Sequence, residues 1–354
     1  GEIGEVSRKT GLPPKLLEEV RREFLYWYPV DLRNSAKELL PNHLTYFLFH
    51  HTAIFPEEHW PRAVGVNGMV FIEGKKMSKS KGNFIPLIKA VEKYGADPTR
   101  VTLMLAAEDM DDPDWRERNA IAIRRHLYNL YNLAKQAVSL PEGGEEEQVD
   151  RWLLSRLQRH IARVTEALEN LKNRTAIQTV LFDVLNDVKW YMKRRGKPLK
   201  KTLLYVLDKW VRMLAPFAPF VAEEIWEVLG REGFVSLAAW PSPEKDKINL
   251  RAELEESYLV KVIEDTREAL KATKLKPKLI CYYTAPRWKE EVYVKVLEAK
   301  LKGEDVSGII GKLAREYRDR AKEVVKLVKD ILKEVEGLDK EELELRVRER
   351  LNEY

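Results

Sequence analysis

Between Asp150 and Leu171 the apolar residues Leu154, Leu157, Ile161, Val164, Leu168 and Leu171 recur at alternating steps of three and four. That spacing lays one apolar stripe along a helix and predicts the packed face of a bundle. TAIQTVLFDVLNDVKWYMKRR (175–195), TLLYVLDKWVRML (202–214) and APFAPFVAEEIWEVLG (215–230) follow with short breaks. Long helices joined by short connections pack most simply as an antiparallel bundle. Pro241 and Pro243, set among charges, mark a linker after it.

Upstream the texture is mixed. PKLLEEVRREFLYWY (14–28) reads as a helix with Pro near its start. PVDLRNSAKELLPNHLTYFLFHH (29–51) reads as a short strand and turn leading into an apolar helix. AVGVNGMVFIEGKK (63–76) predicts a hairpin or two short strands, with Asn67-Gly68 and Glu73-Gly74 as turn signals. IPLIKAVEKYG and DPTRVTLMLAAE are helices punctuated by Gly95 and Asp97-Pro98. From about Leu250 come a charged helix, an apolar strand candidate PKLICYYTAP (277–286), a helix around RWKEEVYVKVLEAKL (287–301) and a charged helical tail. The expected fold class is mainly α with an α/β portion.

At 354 residues the chain is long for one core, so two or three domains are expected. The reading divides it at 1–110, 111–245 and 246–354. Lysine and arginine total 62 against 57 acids, a net charge of +5, so only local clusters can argue for a polyanionic partner. The lone Cys281 sits in the apolar run LICYY and reads as a small buried hydrophobe in a reducing, cytoplasmic compartment. No apolar stretch approaches bilayer length, so no membrane partner is expected. The opening GEIGEV lacks an initiator methionine and reads as the start of a fragment or processed piece.

The candidate chemistry begins with GKKMSKSKGN (74–83), four lysines and two serines between glycines. Like charges on a short loop repel one another unless an anion arrives. Lysine, a compact charge on a flexible stem, suits phosphate oxygens whose charge changes during a reaction. A second cluster joins Lys189, Lys193, Arg194, Arg195, Lys197, Lys200 and Lys201 at one inter-helix corner, with Trp190 and Tyr191 beside them. Such a patch is rewarded by counterion release from phosphates, and aromatic faces stack on exposed bases. Arg116, Arg118, Arg124 and Arg125 form a weaker second patch.

The order of these motifs matches a known family. Lys76-Met77-Ser78-Lys79-Ser80 is the signature pentapeptide of class I aminoacyl-tRNA synthetases, lying after a short strand and before Gly82-Asn83. Tyr94-Gly95-Ala96-Asp97-Pro98-Thr99-Arg100, DRWLLSRL, NDVKWYM and LAPFAPFVAEEIW resemble the same family in the same order. YWYPVDLRNSAKELLPNHLTYFLFHH resembles its leucyl group, of archaeal and eukaryotic-cytosolic type. Valyl and isoleucyl relatives usually carry Gly-x-Asp-Gln-x-Arg-Gly-Trp where this chain reads Ala36-Lys37-Glu38-Leu39. Two departures stand out. Ala36 replaces the usual Gly, and no HIGH-type histidine pair precedes the lysine loop in its place; His50-His51 reads as packing.

The resemblance implies the second half of a Rossmann-type catalytic domain, a helical anticodon-binding-type bundle and a small C-terminal tRNA-contacting domain. It implies ATP with Mg2+, leucine and tRNA-Leu as ligands, and an N-terminal half supplied in cis or in trans. Lys79 with Lys76 would touch the ATP phosphates, Met77, Ser78 and Ser80 would shape the loop, and Gly68-Met69-Val70 would border the adenine. Glu38 reads either as a ribose acceptor or as a surface acid, and His43 either as a site histidine or as packing. The bundle cluster Lys189, Lys193, Arg194, Arg195, Lys197, Lys200 and Lys201, with Arg124 and Arg125, would bind tRNA. Arg100 either pairs with Asp97 or meets tRNA, and no metal ligand is assigned. A tRNA-binding module without catalysis, and a valyl or isoleucyl relative, remain the alternatives.

Overall fold

Two short helices, α1 (Ile3–Thr10) and α2 (Pro14–Trp27), open a computed structural model that describes residues 2–77, 82–283, 285–338 and 340–351. The chain divides into two compact units, Gly1–Lys245 and Asp246–Tyr354. In the first, β1 (Arg33–Ala36) leads through tight turns at 37–44 into α3 (Thr45–Ile54), and β2 (Val64–Asn67) returns parallel to β1. His51 on α3 is buried, stacks on Tyr28, donates from Nδ1 to Phe47 O and meets Tyr28 Oη at Nε2, whereas His50 is exposed.

Only one of the two turn signals makes a hairpin. Glu73 and Gly74, both with positive φ (50° and 76°), join β3 (Phe71–Ile72) to antiparallel β4 (Lys75–Lys76). That conformation matches the twist of paired strands. Asn67-Gly68 instead carries the chain from the first sheet into the second. Gly68 is held there by close approach: an added Cβ would lie 2.0 Å from the Asp111 carbonyl oxygen. α4 (Leu87–Tyr94) and α5 (Ala96–Ala106) are separated by Gly95 alone, whose φ of 98° few other residues adopt. β5 (Asp114–Trp115) then pairs parallel with β3.

α6 (Glu117–Val138), α7 (Gln148–Glu169), α8 (Asn173–Gln178), α9 (Val184–Arg195), α10 (Lys200–Leu214) and α11 (Pro219–Val228) form the bundle. Its core includes Leu127, Leu130, Leu157, Ile161, Val164 and Trp210, whose indole N–H donates to Val180 O at 2.6 Å. The predicted stripe on α7 needs correction. Leu157, Ile161 and Val164 are buried, but Leu154 and Leu168 are half-buried and Leu171 lies beyond the helix end, half exposed at φ 58°. Trp152, Leu153, Gln158 and His160 are buried too, because α7 is covered on more than one side.

The second unit consists of α12 (Leu250–Thr273), α13 (Arg287–Leu301), α14 (Val306–Glu316), α15 (Ala321–Glu334) and α16 (Lys340–Leu351). α13 serves two apolar clusters: Val292 and Val296 pack with Ile309, Leu313, Val324 and Val328, while Val294 and Leu297 pack with Val335, Leu343 and Val347. The strand expected at 277–286 does not form among its described residues, and Cys281 is exposed rather than buried. A strand needs a partner for its backbone groups, and here Leu279 and Tyr283 stand 77% and 94% exposed. Every described helix is too short or too polar to cross a membrane.

Candidate nucleotide and nucleic-acid site

The parallel strands β1 and β2 end side by side at Ala36 and Asn67, and ligands of open α/β sheets gather at such carboxyl ends. Ala36 is half-buried there, and Lys37 and Glu38 follow directly in a tight turn, with Glu38 exposed. His43 is also exposed, its Nε2 3.4 Å from an Arg33 guanidinium nitrogen, so the packed reading of this histidine fails. Gly68 rests on the backbone of Asp111 and Asp112, and the Met69 N–H donates to Asp112 Oδ1 at 2.7 Å.

Asp112, which sequence reasoning passed over, joins this region together. Lys37 Nζ lies 2.7 Å from Asp112 Oδ1 and donates to Met110 O at 3.0 Å. Lys37 first, then the Met69 amide and the charge of Lys76, hold the Asp112 carboxyl below the usual range. Lys76 is exposed and forms no ion pair among the described residues. Asp114 plays a matching part under the hairpin: it accepts from the Gly74 N–H and from Arg116, each at 2.8 Å, and these two hold its carboxyl low. The only hint of either acid in the sequence is the cluster DMDDPDW.

The base of the lysine loop is clamped on both sides. Asn83 Nδ2 donates to Lys76 O at 3.2 Å and more loosely to Lys75 O at 3.4 Å. Met77 packs on the apolar cluster of Ile72, Ala90, Tyr94 and Trp115. Val70 joins the same cluster, so it faces packing rather than an open cleft. Ser78, Lys79 and Ser80 lie outside the described residues.

The basic corner of the bundle differs from its sequence reading. Lys189, Lys193, Arg194, Lys197 and Lys201 are exposed. Arg195 is withdrawn: its side chain is 11% exposed, bound to Asp150 at 3.0 Å and Glu147 at 2.5 Å. Lys200 meets Glu142 at 2.7 Å. Tyr191 offers no face to a base, being fully buried, with its hydroxyl donating to Asp150 at 2.6 Å and accepting from the Leu199 N–H. Burial and Asp150 push its phenol well above the usual value. The reason is the acidic turn at 142–147, which folds back over this corner and neutralises part of it. Trp190 is half-buried.

Arg124 and Arg125 are exposed and share a cavity of about 850 Å³ with Ile121, Tyr128 and Phe220. Arg100 acts on Asp97 through its charge but places its hydrogen bonds elsewhere. It donates to the carbonyls of Pro216 and Phe217, at 3.1 and 3.3 Å.

Two family models match this arrangement of loop and bundle. Residues 21–137 match "tRNA synthetases class I (M)", and residues 150–282 match "Anticodon-binding domain of tRNA ligase". The chain belongs to the class I aminoacyl-tRNA synthetases. It is 44% identical over 352 residues to a leucine–tRNA ligase of Pyrococcus abyssi, covering 96% of this chain and 36% of that relative. It is 47% identical over 295 residues to one of Methanosarcina mazei, covering 82% of this chain and 30% of the relative. The chain thus spans about a third of the length of these curated synthetases. Among solved structures it resembles the Agrobacterium radiobacter K84 agnB2 LeuRS in a ternary complex with tRNA and LeuAMS. The TM-score is 0.55 at 27% identity, over 62% of this chain and 29% of that one.

Proposed function

We propose that this synthetase chain supplies the phosphate-binding loop and RNA-supporting bundle of a leucine–tRNA ligase, working with an N-terminal half in cis or in trans. The observation that carries the reading is the hairpin base. An exposed Lys76, in no ion pair among the described residues, stands at the base that Asn83 and Met77 hold, electrostatically linked through Asp112 to the carboxyl ends of β1 and β2. Residues 1–110 would complete the catalytic domain, 111–245 the bundle and 246–354 a C-terminal tRNA-contacting domain.

In the reaction the leucine carboxylate attacks the α-phosphorus of ATP. A carboxylate O–P bond forms, the bridging α–β P–O bond breaks, and pyrophosphate leaves with the electron pair. A ribose hydroxyl of the terminal adenosine of tRNA-Leu then attacks the leucyl carbonyl carbon, forming the ester C–O bond as the bond from that carbon to the phosphate oxygen breaks and AMP leaves with the electron pair. No protein nucleophile is needed, so position and charge dominate. Lys76 and Lys79 neutralise the leaving polyphosphate, Ser78, Ser80 and Met77 shape the loop, and the backbone of Gly68, Met69 and Val70 borders the adenine region, the Val70 side chain being turned into packing. Glu38, exposed at the strand ends, accepts from the ribose hydroxyls, and His43 flanks the leucine side. Mg2+ would enter with ATP and share the charge of the departing pyrophosphate, with no protein ligand assigned to it. Lys189, Lys193, Arg194, Lys197 and Lys201, with Arg124 and Arg125, support the tRNA in a cytoplasmic enzyme.

Leucine-dependent ATP–pyrophosphate exchange, with and without an added N-terminal half, tests this. The pair is expected to exchange and the chain alone is not. Lys79→Ala should lower exchange by about 100-fold, the scale of losing one transition-state charge contact. Exchange undiminished in Lys79→Ala, or driven by valine or isoleucine instead, overturns the reading.

A further inference from the structure

α11 has no capping side chain of its own. Its first position is Pro219 and the residue before it is Ala218, so the free N–H groups of its first turn need an acceptor from elsewhere. Asp97 provides it from the start of α5. Its Oδ2 accepts from the Val221 N–H at 2.7 Å, and its Oδ1 more distantly from the Phe220 N–H at 3.4 Å. These are the positions an N-cap residue would serve, reached here across more than a hundred residues of sequence. Asp97 is only 3% exposed, and burial raises its carboxyl pKa against the pull of those two amides.

One helical turn further along α5, Arg100 takes the other side of the same corner. Its guanidinium donates to Pro216 O and Phe217 O, the carbonyls that follow the end of α10. A carboxylate on free N–H groups and a guanidinium on free carbonyls therefore grip the α10–α11 turn from both polarities. The opposite commitments of α5 give this grip its consequence. Leu103 of α5 packs on the cluster that seats Met77, and Thr99 and Leu103 border a cavity of about 170 Å³ beside Met77. One helix thus touches both the foundation of the lysine loop and the corner of the bundle.

We propose that Asp97 and Arg100 are positioning residues that lock the bundle to the seat of the lysine loop, so that RNA held by the bundle presents its acceptor end in register with the loop. This rests on the ligase reading above. Activation of leucine uses only small substrates and does not call on the bundle. Transfer requires that two distant surfaces stay aligned, and a displacement of about 1 Å can cost about 100-fold in rate.

The experiment uses the chain complemented by an N-terminal half, with Asp97→Asn, Asp97→Ala, Arg100→Lys, Arg100→Ala and the Asp97→Ala/Arg100→Ala pair. Exchange should stay within about 2-fold, while kcat for charging tRNA-Leu falls about 10-fold or more in the alanine variants with KM for tRNA within about 3-fold. The conservative variants, which keep one of the two contacts at each residue, should be intermediate. The double variant should be no worse than the worse single one, because both residues hold one corner. Charging at the unmodified rate, a parallel fall in exchange and charging, or a change confined to KM overturns the proposal. An alanine variant that does not fold leaves the decision to Asp97→Asn and Arg100→Lys, for which unmodified charging is equally fatal. Failure of the unmodified pair to exchange with leucine would instead sink the ligase reading itself.

Discussion

Asp112 and Asp114 show how two acids hold a cluster of bases in place without occupying it. Each accepts from a backbone N–H and from one basic side chain, and each carboxyl is held below the ordinary range. A depressed folded-state pKa means that the stabilisation is present above the unfolded value, about 3.9, and is lost as pH falls through the folded one. The amide resonances of Met69 and Gly74 are therefore expected to hold steady down to about pH 4 and to move only below it. Asp114→Asn should remove the Gly74 titration and leave that of Met69. Midpoints at or above the usual carboxylate value would show that these contacts are absent in solution. At the same scale, the Glu73-Gly74 turn was legible from sequence because Gly74 takes a positive φ without cost, whereas the positive φ of Glu73 was not. Asp112 was not, because an acid earns its role from partners at Lys37 and Met69 that only the fold supplies.

Among the elements, the acidic turn at 142–147 changes the meaning of the helices beside it. Read along the chain, α9 and the start of α10 present seven basic residues. In the structure Glu142 and Glu147 hold Lys200 and Arg195, and Glu146 approaches Lys201 at 3.9 Å. The net attraction for phosphate is smaller than the count of lysines suggests. Glu142→Gln with Glu146→Gln should strengthen tRNA binding and steepen its salt dependence, since about one further counterion is released per freed lysine. Binding isotherms between low and moderate salt check this; an unchanged slope would mean that the corner lies off the RNA path. Helix positions were readable from their period. Which residues of α7 faced inward was read imperfectly, since a helix covered on several sides buries a wider arc than one stripe.

For the whole molecule, two compact units each carry apolar cores of their own, the bundle in one and the two clusters around α13 in the other. Units with separate cores fold separately in principle. Residues 1–245 alone are expected to unfold in one cooperative step within about 5 °C of the corresponding transition in the intact chain. Calorimetry of both chains tests it, and a broad or strongly shifted transition in the shorter one would deny that independence. The failed strand at 277–286 belongs to this scale as well. Its apolar, β-rich composition was read correctly, but a strand exists only where another strand pairs with it.

By itself the sequence determined what is local or combinatorial: the helical periods, the Gly95 break, the hairpin turn and the ordered motifs that place the chain among class I synthetases. Those features depend on neighbouring residues or on residue order, and both are written in the chain. Only the tertiary structure decided which charges remain free and which are spent. Lys76 stands open while Arg195 is withdrawn, Asp97 caps a helix more than a hundred residues away, and Tyr191 turns inward to Asp150. Electrostatic character depends on distance and burial, and three-dimensional packing sets both.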